Sequence, residues 1–262
     1  MYTHNLDPII FSLGFLVVRW YSLAYILGIL IGWWLGKKII LKKSKKIDFN
    51  FDITKFDDLI TYLIIAILVG GRIGYVLFYN FEFYFSNPID ILKIWEGGMS
   101  FHGALIGVVI GTCIFAFKKN IPPLFLLDII ACVSPIGIFF GRIANFINGE
   151  LVGKITSVRW GVIFPYFDNS FRHPSQLYEA FLEGIILFII INLIMLKNSY
   201  RVGNCSYMFL ILYGCFRIIS EIFREPDPQI GYFFGSVSMG VILSVLMIFA
   251  GLIIFLKRDD FK

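Results

Sequence analysis

The apolar residues of this chain fall into long runs that are separated by short polar segments. Seven runs are close to the length of about 20 residues that a helix needs to cross a bilayer core of about 30 Å. They are Leu13–Gly36, Asp57–Phe78, Phe101–Phe117, Pro122–Gly141, Leu177–Leu196, Ser206–Phe223 and Tyr232–Leu256. The pattern therefore predicts an all-α polytopic membrane protein with about seven transmembrane helices.

Lysine and arginine are distributed unevenly over the segments between these runs. If the N-terminus lies outside, the inner segments 37–56, 118–121, 197–205 and 257–262 carry fourteen of the 23 Lys and Arg residues, and the outer segments carry five. Positive residues accumulate on the cytoplasmic side of membrane proteins. The distribution predicts an outer N-terminus, a cytoplasmic C-terminus and a short irregular outer segment at about 143–176, between spans 4 and 5.

The composition indicates one integral membrane domain over residues 1–262. Hydrophobic residues make up 58% of the chain and charged residues 16%, against roughly 45–50% and about 25% in soluble domains. The net charge of +5 does not indicate nucleic-acid binding, because the lysines lie in loops that flank the membrane and face anionic lipid heads. The four cysteines form no CxxC pair, so we expect them to pack rather than to form disulfides or bind a metal.

Glycines recur at intervals of four residues within several of the runs. This spacing lets membrane helices approach closely. The sets are Gly28/Gly32/Gly36, Gly70/Gly74, Gly103/Gly107/Gly111 and Gly137/Gly141.

Polar and ionisable residues within or beside the spans gather at one depth. Such residues are costly in a bilayer and usually face a protein interior or a cavity, where they pair. The predicted topology places all of the following in the outer half of the membrane: Arg19, Tyr25, Arg72, His102, Arg142, Asn145, Glu179, Glu183, Arg217, Glu221 and Arg224. We therefore expect a polar site at the outer leaflet.

Two groups of these residues suggest the chemistry of that site. Arg217, Glu221 and Arg224 share one helix face, at spacings of four and three residues. Arg142 and Asn145 lie one turn apart. An arginine fork binds phosphate bidentately and stays charged, so these arginines could hold an anionic lipid head. The alternatives are an internal ion-pair ladder for the first group and snorkelling to lipid for each arginine.

His102 is the most prominent of the three histidines. Glycines flank it at 97, 98 and 103, so the backbone can bend there and a ligand can come close. Histidine can accept a proton near neutral pH, although a polar residue at the start of a helix is an equally good interpretation. His4 lies near the chain terminus, where we expect fraying.

Several reaction classes are excluded by the absence of their motifs. The chain has no HExxH, no Walker or Rossmann glycine loop and no GxSxG elbow. The residues alone predict an arginine-rich anion site with one histidine at the outer leaflet, and they do not specify a reaction.

Four blocks of sequence carry a resemblance to a known family. They are "GGMSFHGALIG", "GRIANFINGE", "RHPSQLYEA" and "LYGCFRIISEIFREPD". Together they resemble the bacterial phosphatidylglycerol–prolipoprotein diacylglyceryl transferases, and the likeness extends from "RWYSLAYILG" to "REPD" along almost the whole chain. One small departure is Ser22, where the family pattern has glycine.

The resemblance implies a transferase of the bacterial inner membrane, with its active site toward the periplasmic leaflet. Such an enzyme moves the diacylglyceryl group of phosphatidylglycerol to the lipobox cysteine thiol of a prolipoprotein signal peptide. A thioether forms and glycerol phosphate leaves, in the first step of lipoprotein maturation. The resemblance implies no metal and no soluble cofactor.

The resemblance also implies roles for particular residues. His102, Arg217 and Arg142 are the candidate catalytic residues. The candidate ligands of the phosphatidylglycerol head group are Arg142, Asn145, Tyr25, Glu150 and Gly153. Supporting roles are expected for Glu221, Arg224 and Asn148. Glu150 and Glu221 would orient arginines or bind head-group hydroxyls, and Asn148 could either form a turn or contact the ligand.

Two questions stay open at the level of sequence. The general base is either His102 or a thiolate stabilised by a neighbouring arginine, since arginine itself stays protonated. The function could also be that of a transporter or flippase for anionic lipids or organic phosphates, or that of a membrane scaffold. A transporter needs polar groups toward the cytoplasmic side, and spans 5 and 7 have almost none in their inner halves.

Overall fold

The computed structural model describes residues 2–13, 16–43, 52–93, 97–226, 232–233 and 237–257. The chain divides into two compact units. The first is formed by Met1–Gly36 with Asp128–Lys262, and the second by Lys37–Leu127. The prediction of one domain over residues 1–262 stays a prediction.

Within the described residues, the first unit contains seven helical elements and seven short strands. Its helical elements are α1 (Trp20–Lys43, whose last residues belong to the second unit), α5 (Pro123–Asn148, whose first residues do), α6 (Ser175–Glu179), a π-helix (Ala180–Ile186), α7 (Leu187–Leu196), α8 (Asn204–Glu221) and α9 (Met239–Lys257). Its strands are β1 (Tyr2–Thr3), β2 (Ile9–Leu13), β3 (Leu16–Arg19), β4 (Val162–Ile163), β5 (Phe171–Arg172), β6 (Tyr232–Phe233) and β7 (Val237–Ser238).

The second unit is built on two long helices. It contains α2 (Thr54–Tyr79), α3 (Phe81–Ser86), a 3-10 helix (Pro88–Leu92) and α4 (Phe101–Lys119).

Five helical segments of the described chain are long and apolar enough to cross a membrane. They are Trp20–Lys43, Thr54–Leu77, Pro123–Asn148, Ser175–Leu196 and Met239–Lys257. The protein is therefore a helical, multi-pass membrane protein, as predicted. Helices α4 and α8 coincide with predicted spans 3 and 6 but are not among the five.

The predicted starts of the first and last spans are wrong by seven residues each. Strands β2 and β3 pair as an antiparallel hairpin, so α1 begins at Trp20 rather than Leu13, and Arg19 ends a strand rather than lying within a span. Strands β6 and β7 likewise precede α9, which begins at Met239 rather than Tyr232. Short apolar runs rich in β-branched and aromatic residues do not distinguish a strand from a buried helix.

Helices α2 and α4 pack through glycines at the predicted four-residue spacing. A Cβ added to Gly70 would lie 2.9 Å from the Cα of Gly107, and one added to Gly74 would lie 2.7 Å from the Cα of Gly103. The helix backbones therefore touch, which confirms the interpretation of these glycines as a packing surface.

A small sheet forms in the segment after α5, which we call the head segment (residues 149–174). Strand β4 pairs in parallel with β1 and antiparallel with β5. The expectation that His4 is frayed is wrong. Its backbone N–H donates to the carbonyl of Ile163 at 2.8 Å, and its ring is buried between Phe146 and Phe164.

The start of α8 is fixed by a side chain from another helix. Asp128 of α5 is completely buried. It accepts hydrogen bonds from the backbone N–H of Ser206 and Gly203, each at 2.6 Å, and from the hydroxyls of Ser206 and Tyr200. Because the first N–H groups of a helix have no partner within it, the Asp128 carboxylate acts as the cap of α8.

Candidate functional site

Three arginines and three glutamates of the first unit form a connected, buried ion-pair network. We call Arg142, Arg217, Arg224, Glu179, Glu183 and Glu221 the arginine–glutamate cluster. Arg142, on α5, reaches both carboxylates of the segment Ser175–Leu196. Its Nε lies 2.8 Å from Glu179 Oε2, and its Nη2 lies 3.1 Å from Glu183 Oε2. Both glutamates are completely buried.

Arg217 and Arg224 approach the same carboxylates from the end of α8. The Nη1 atom of Arg217 lies 3.0 Å from Glu179 Oε1, and that of Arg224 lies 3.2 Å from it. Arg217 also pairs with Glu221 one turn along its own helix. The predicted pairing of Glu221 with Arg217 is therefore present in the structure.

Glu221 is held in turn by the segment that precedes α9. Its Oε2 accepts a hydrogen bond from the Ser238 hydroxyl at 2.9 Å, and its carboxylate packs against Gly240. The Ser238 oxygen also accepts from the backbone N–H of Val241 at 3.3 Å. The orientation of Arg217 thus depends on the first turn of α9.

A π-helix brings the two buried glutamates to Arg142. The π-helix Ala180–Ile186 follows Glu179 directly and contains Glu183. Gly184 faces α5, and a Cβ added to it would lie 2.7 Å from the Cβ of Phe139 and 3.0 Å from its Cα. Because Arg142 lies three residues after Phe139, this close approach places both carboxylates within its reach. Short π-helical segments often mark functional sites.

The two asparagines of "NFINGE" (residues 145–150) form a second group next to Arg142 in sequence. Asn145 donates to Glu150 Oε1 at 2.7 Å, and Asn148 donates to the same oxygen at 3.3 Å. Gln176 holds the Glu150 backbone through a hydrogen bond of 2.6 Å to its carbonyl. Gly149, with φ +68°, makes the turn that returns Glu150 to the helix end. Glu150 thus contacts the asparagines, while the carboxylates that contact Arg142 are Glu179 and Glu183.

Tyr25 lies on α1, and its role as a ligand of the head group stays a prediction. Its side chain is 58% exposed, and its ring centroid lies 5.1 Å from that of Tyr21. An exposed phenol can donate a hydrogen bond to a ligand.

Gly153 lies where the head segment crosses the end of α8. It forms a bridge with Arg224, and its N–H donates to the carbonyl of His173 at 3.1 Å. A Cβ at this position would contact the His173 carbonyl and lie 2.7 Å from the carbonyl oxygen of Phe223. Glycine is therefore required for the backbone contact that positions Arg224.

Arg172 stabilises the head segment from within. It donates to Asp168 Oδ2 at 2.6 Å, to the carbonyl of Gly153 at 2.9 Å and to Glu225 Oε2 at 3.1 Å. Hydrogen bonding from Arg172 lowers the pKa of the Asp168 carboxyl. Burial lowers the pKa of the neighbouring His173, whose Nδ1 lies 3.1 Å from the Tyr178 hydroxyl.

His102 and Arg72 belong to the second unit. His102 is the second residue of α4, and its side chain lies outside the described part of the structure, so its role as a base stays a prediction. Arg72 is buried and donates to the backbone carbonyls of Asp90, Ile91, Lys93, Gly97 and Gly98. All five of its N–H groups are used in holding the chain that leads to α4.

The sequence did not predict a role in the site for three residues. They are the cluster residues Glu179 and Glu183, and Ser238, which binds Glu221. The sequence predicted the two glutamates to lie at the same depth as the arginines, which stays a prediction, but their partners lie on other helices and no local spacing indicates them. The signal that could have found them is charge balance, since buried arginines need carboxylates within reach.

Comparison with known proteins identifies the group to which this architecture belongs. The family model described as prolipoprotein diacylglyceryl transferase matches residues 8–257. The chain belongs to the prolipoprotein diacylglyceryl transferase family. The matched region contains every candidate site residue, from Tyr25 to Arg224.

Relatives in this transferase family are similar over nearly their full length. A phosphatidylglycerol–prolipoprotein diacylglyceryl transferase of Rickettsia bellii (strain OSU 85-389) is 54% identical over 259 residues, covering 97% of this chain and 96% of the relative. One of Rickettsia felis (strain ATCC VR-1525 / URRWXCal2) is 56% identical over 251 residues, covering 94% and 95%. The family membership confirms the resemblance that the four sequence blocks indicated.

Proposed function

We propose that this protein transfers the diacylglyceryl group of phosphatidylglycerol to the lipobox cysteine thiol of prolipoproteins. Relatives that are 54–56% identical over nearly the whole chain carry the name of this activity. The observation in the structure that supports it best is the sharing of Glu179 by Arg142 and Arg217, at 2.8 and 3.0 Å. Two guanidinium groups meet there, and arginine binds phosphate by strong, often bidentate hydrogen bonds.

The reaction is a substitution at the glyceryl carbon that carries the phosphate. The cysteine thiol loses its proton, and its sulfur forms a bond to that carbon. The bond between the carbon and the phosphate oxygen breaks, and glycerol phosphate leaves with the electron pair. Negative charge develops on the leaving phosphate, and prearranged cations aimed at developing charge lower the barrier to such a step.

The two groups of residues would have different roles in the reaction. Arg142 and Asn145 would hold the head group, with Tyr25 and Glu150 beside them and Asn148 supporting Glu150. Arg217 would stabilise the departing phosphate, oriented by Glu221. Gly153 would keep Arg224 in place by its backbone contact.

The proton acceptor is proposed to be His102, with a thiolate stabilised by arginine as the alternative. A thiol has a pKa of about 8.5 in the absence of perturbation, so either a base or a nearby cation is needed near neutral pH. Comparing His102→Gln with the parent enzyme across pH separates the two. A variant with the parent's rate and pH profile would exclude the histidine.

We propose seven membrane spans. They are the five candidate spans together with α4 and α8. The N-terminus would lie in the periplasm and the C-terminus in the cytoplasm of the bacterial inner membrane. The basic residues favour this orientation, and the head segment would then lie on the periplasmic side. Both substrates have apolar segments and can reach the site from within the bilayer.

A reconstituted transfer assay tests the function. The purified protein is mixed with phosphatidylglycerol and a lipobox peptide, and the peptide mass is measured. We expect the mass of a diacylglyceryl thioether, with no gain for a peptide whose cysteine is replaced by serine. A folded protein that leaves the cysteine peptide unmodified would refute the proposal, and so would transport of the lipid without transfer.

A further inference from the structure

The two buried glutamates of the arginine–glutamate cluster are held unequally. Glu179 lies within 2.8 to 3.2 Å of three arginines, namely Arg142, Arg217 and Arg224. Glu183 has one comparable contact, 3.1 Å from Arg142. Its Oε1 lies 3.7 Å from Arg217 Nη1, and within the described residues this buried oxygen has no hydrogen-bond partner. Glu183 is therefore the less strongly held carboxylate.

The groups that face Glu183 come from three helical segments. Arg142 approaches from α5, Arg217 and Tyr213 approach from α8, and Glu179 lies on its own segment. The cluster as defined carries three positive and three negative charges, so it is neutral without substrate. If an anionic phosphate entered the cluster and all six side chains kept their charges, one buried negative charge would be uncompensated. Such a charge is costly.

We propose that Glu183 holds the position of the substrate's phosphate and exchanges with it. The inference rests on the proposed function and adds to it the residue that the phosphate replaces. An arginine fork binds a carboxylate and a phosphate with the same donors. When the lipid phosphate binds Arg142 and Arg217, Glu183 leaves them and takes up one proton from solvent. Glu179 keeps its contacts, so the arginines stay in place.

The proposal makes opposite predictions for the two glutamates. A glutamine side chain has the shape of a protonated glutamate and does not compete as an anion, so Glu183→Gln should bind phosphatidylglycerol roughly five- to tenfold more tightly. Glu179→Gln removes the carboxylate that three arginines share, so it should bind the lipid more weakly. Glu183→Gln should not change the binding of diacylglycerol, which lacks a phosphate.

Equilibrium binding of fluorescent phosphatidylglycerol to the purified full-length protein in detergent, without peptide, tests this. Tighter binding by Glu183→Gln, with diacylglycerol binding unchanged, supports the exchange. Unchanged or weaker phosphatidylglycerol binding by a folded Glu183→Gln protein overturns it. Because binding is measured apart from transfer, an inactive parent protein would refute the proposed function without deciding the exchange.

The unaltered protein provides a second measurement that does not depend on the folding of a variant. If Glu183 takes up a proton on exchange, the affinity for phosphatidylglycerol should fall several-fold between pH 6 and pH 8.5, since the lipid's phosphodiester does not titrate in this range. An affinity that is independent of pH would overturn the proposal.

Discussion

Arg217 joins several parts of the candidate site. It contacts Glu221 on its own helix and Glu179 on the segment Ser175–Leu196, and through Glu221 it is linked to Ser238. The pairing with Glu221 follows from a four-residue spacing, and the sequence predicted it. The pairing with Glu179 joins residues 38 positions apart, and no local pattern indicates it.

Replacement of Arg217 by lysine should damage catalysis more than folding. An ammonium group is a single point charge and cannot reproduce the planar fork that meets two carboxylates. We expect kcat/KM in the transfer assay to fall by about 100-fold, the usual effect of removing one donor to a developing anion. Arg159→Lys, at an exposed position of the head segment, is the matched control and should keep full activity. A fully active Arg217→Lys enzyme would exclude the role given to Arg217.

Gly153→Ala should disturb the site through the backbone. The added Cβ would meet the backbone carbonyls of His173 and Phe223, which cannot turn away as a side chain can, and overpacking of this kind costs roughly 1–3 kcal/mol. We expect at least about tenfold lower transfer activity, because Arg224 would be displaced. Gly137→Ala, where a Cβ has nothing within 4 Å, should be neutral in both activity and thermal midpoint. Equal behaviour of the two variants would contradict this explanation.

The head segment is an element whose stability depends on ionised groups. Arg172 joins β5 to Gly153 and Glu225, and its bonds to Asp168 lower the pKa of that carboxyl. Asp168 contributes fully to the stability of the folded protein above about pH 3.9, the pKa of an aspartate in the unfolded chain. This contribution is lost as pH falls through the lower pKa that Asp168 has in the folded protein. For His173, burial lowers the pKa, so folding disfavours its protonation.

Acidification should therefore destabilise the protein in two steps. Below about pH 6.5 the unfolded chain protonates His173 more readily than the folded chain does, so the thermal midpoint should begin to fall. A second fall should follow below about pH 4 as Asp168 protonates. Thermal unfolding in detergent from pH 8 to pH 3 measures both. Asp168→Asn should have a smaller second fall and keep the first, and an unchanged profile in this variant would disprove the assignment.

Arg72 has a corresponding structural function in the second unit. Its guanidinium donates five hydrogen bonds to backbone carbonyls between Asp90 and Gly98. Nearby, the Ser100 N–H donates to the carbonyl of Gly71, and the Ser100 hydroxyl caps α4 by accepting from the N–H of Gly103. The sequence placed Arg72 at the depth of the site, but it could not show that backbone groups would occupy the whole guanidinium.

Arg72→Lys should lower stability substantially, because a lysine leaves several buried carbonyls without donors. We expect a loss of about 3 kcal/mol or more, visible as a lower thermal midpoint. Lys119→Gln, which breaks an exposed ion pair with Asp58 of 3.3 Å, should cost at most about 1 kcal/mol. If the Arg72→Lys protein unfolded at the same thermal midpoint as the parent, the hydrogen bonds to the carbonyls would not be needed for stability.

At the scale of the whole molecule, the sequence predicted the class of protein and the family well. The apolar runs indicated a helical membrane protein, and the polar residues in and beside the runs predicted a polar site without showing which side chains pair. Arg142, Glu179 and Arg217 do meet in the structure. The starts of the first and last spans could not be predicted, because strand β3 before α1 and strands β6 and β7 before α9 lie in the same apolar runs as those helices.

We propose above all that the arginine–glutamate cluster holds the phosphate of the lipid. A structure determined in lipid nanodiscs with phosphatidylglycerol bound tests it most directly. We predict a phosphate oxygen within about 2.7–3.2 Å of the guanidinium nitrogens of Arg142 or Arg217, with Glu183 no longer in contact with Arg142. A lipid phosphate bound elsewhere, with both arginines still paired to Glu179 and Glu183, would contradict the account.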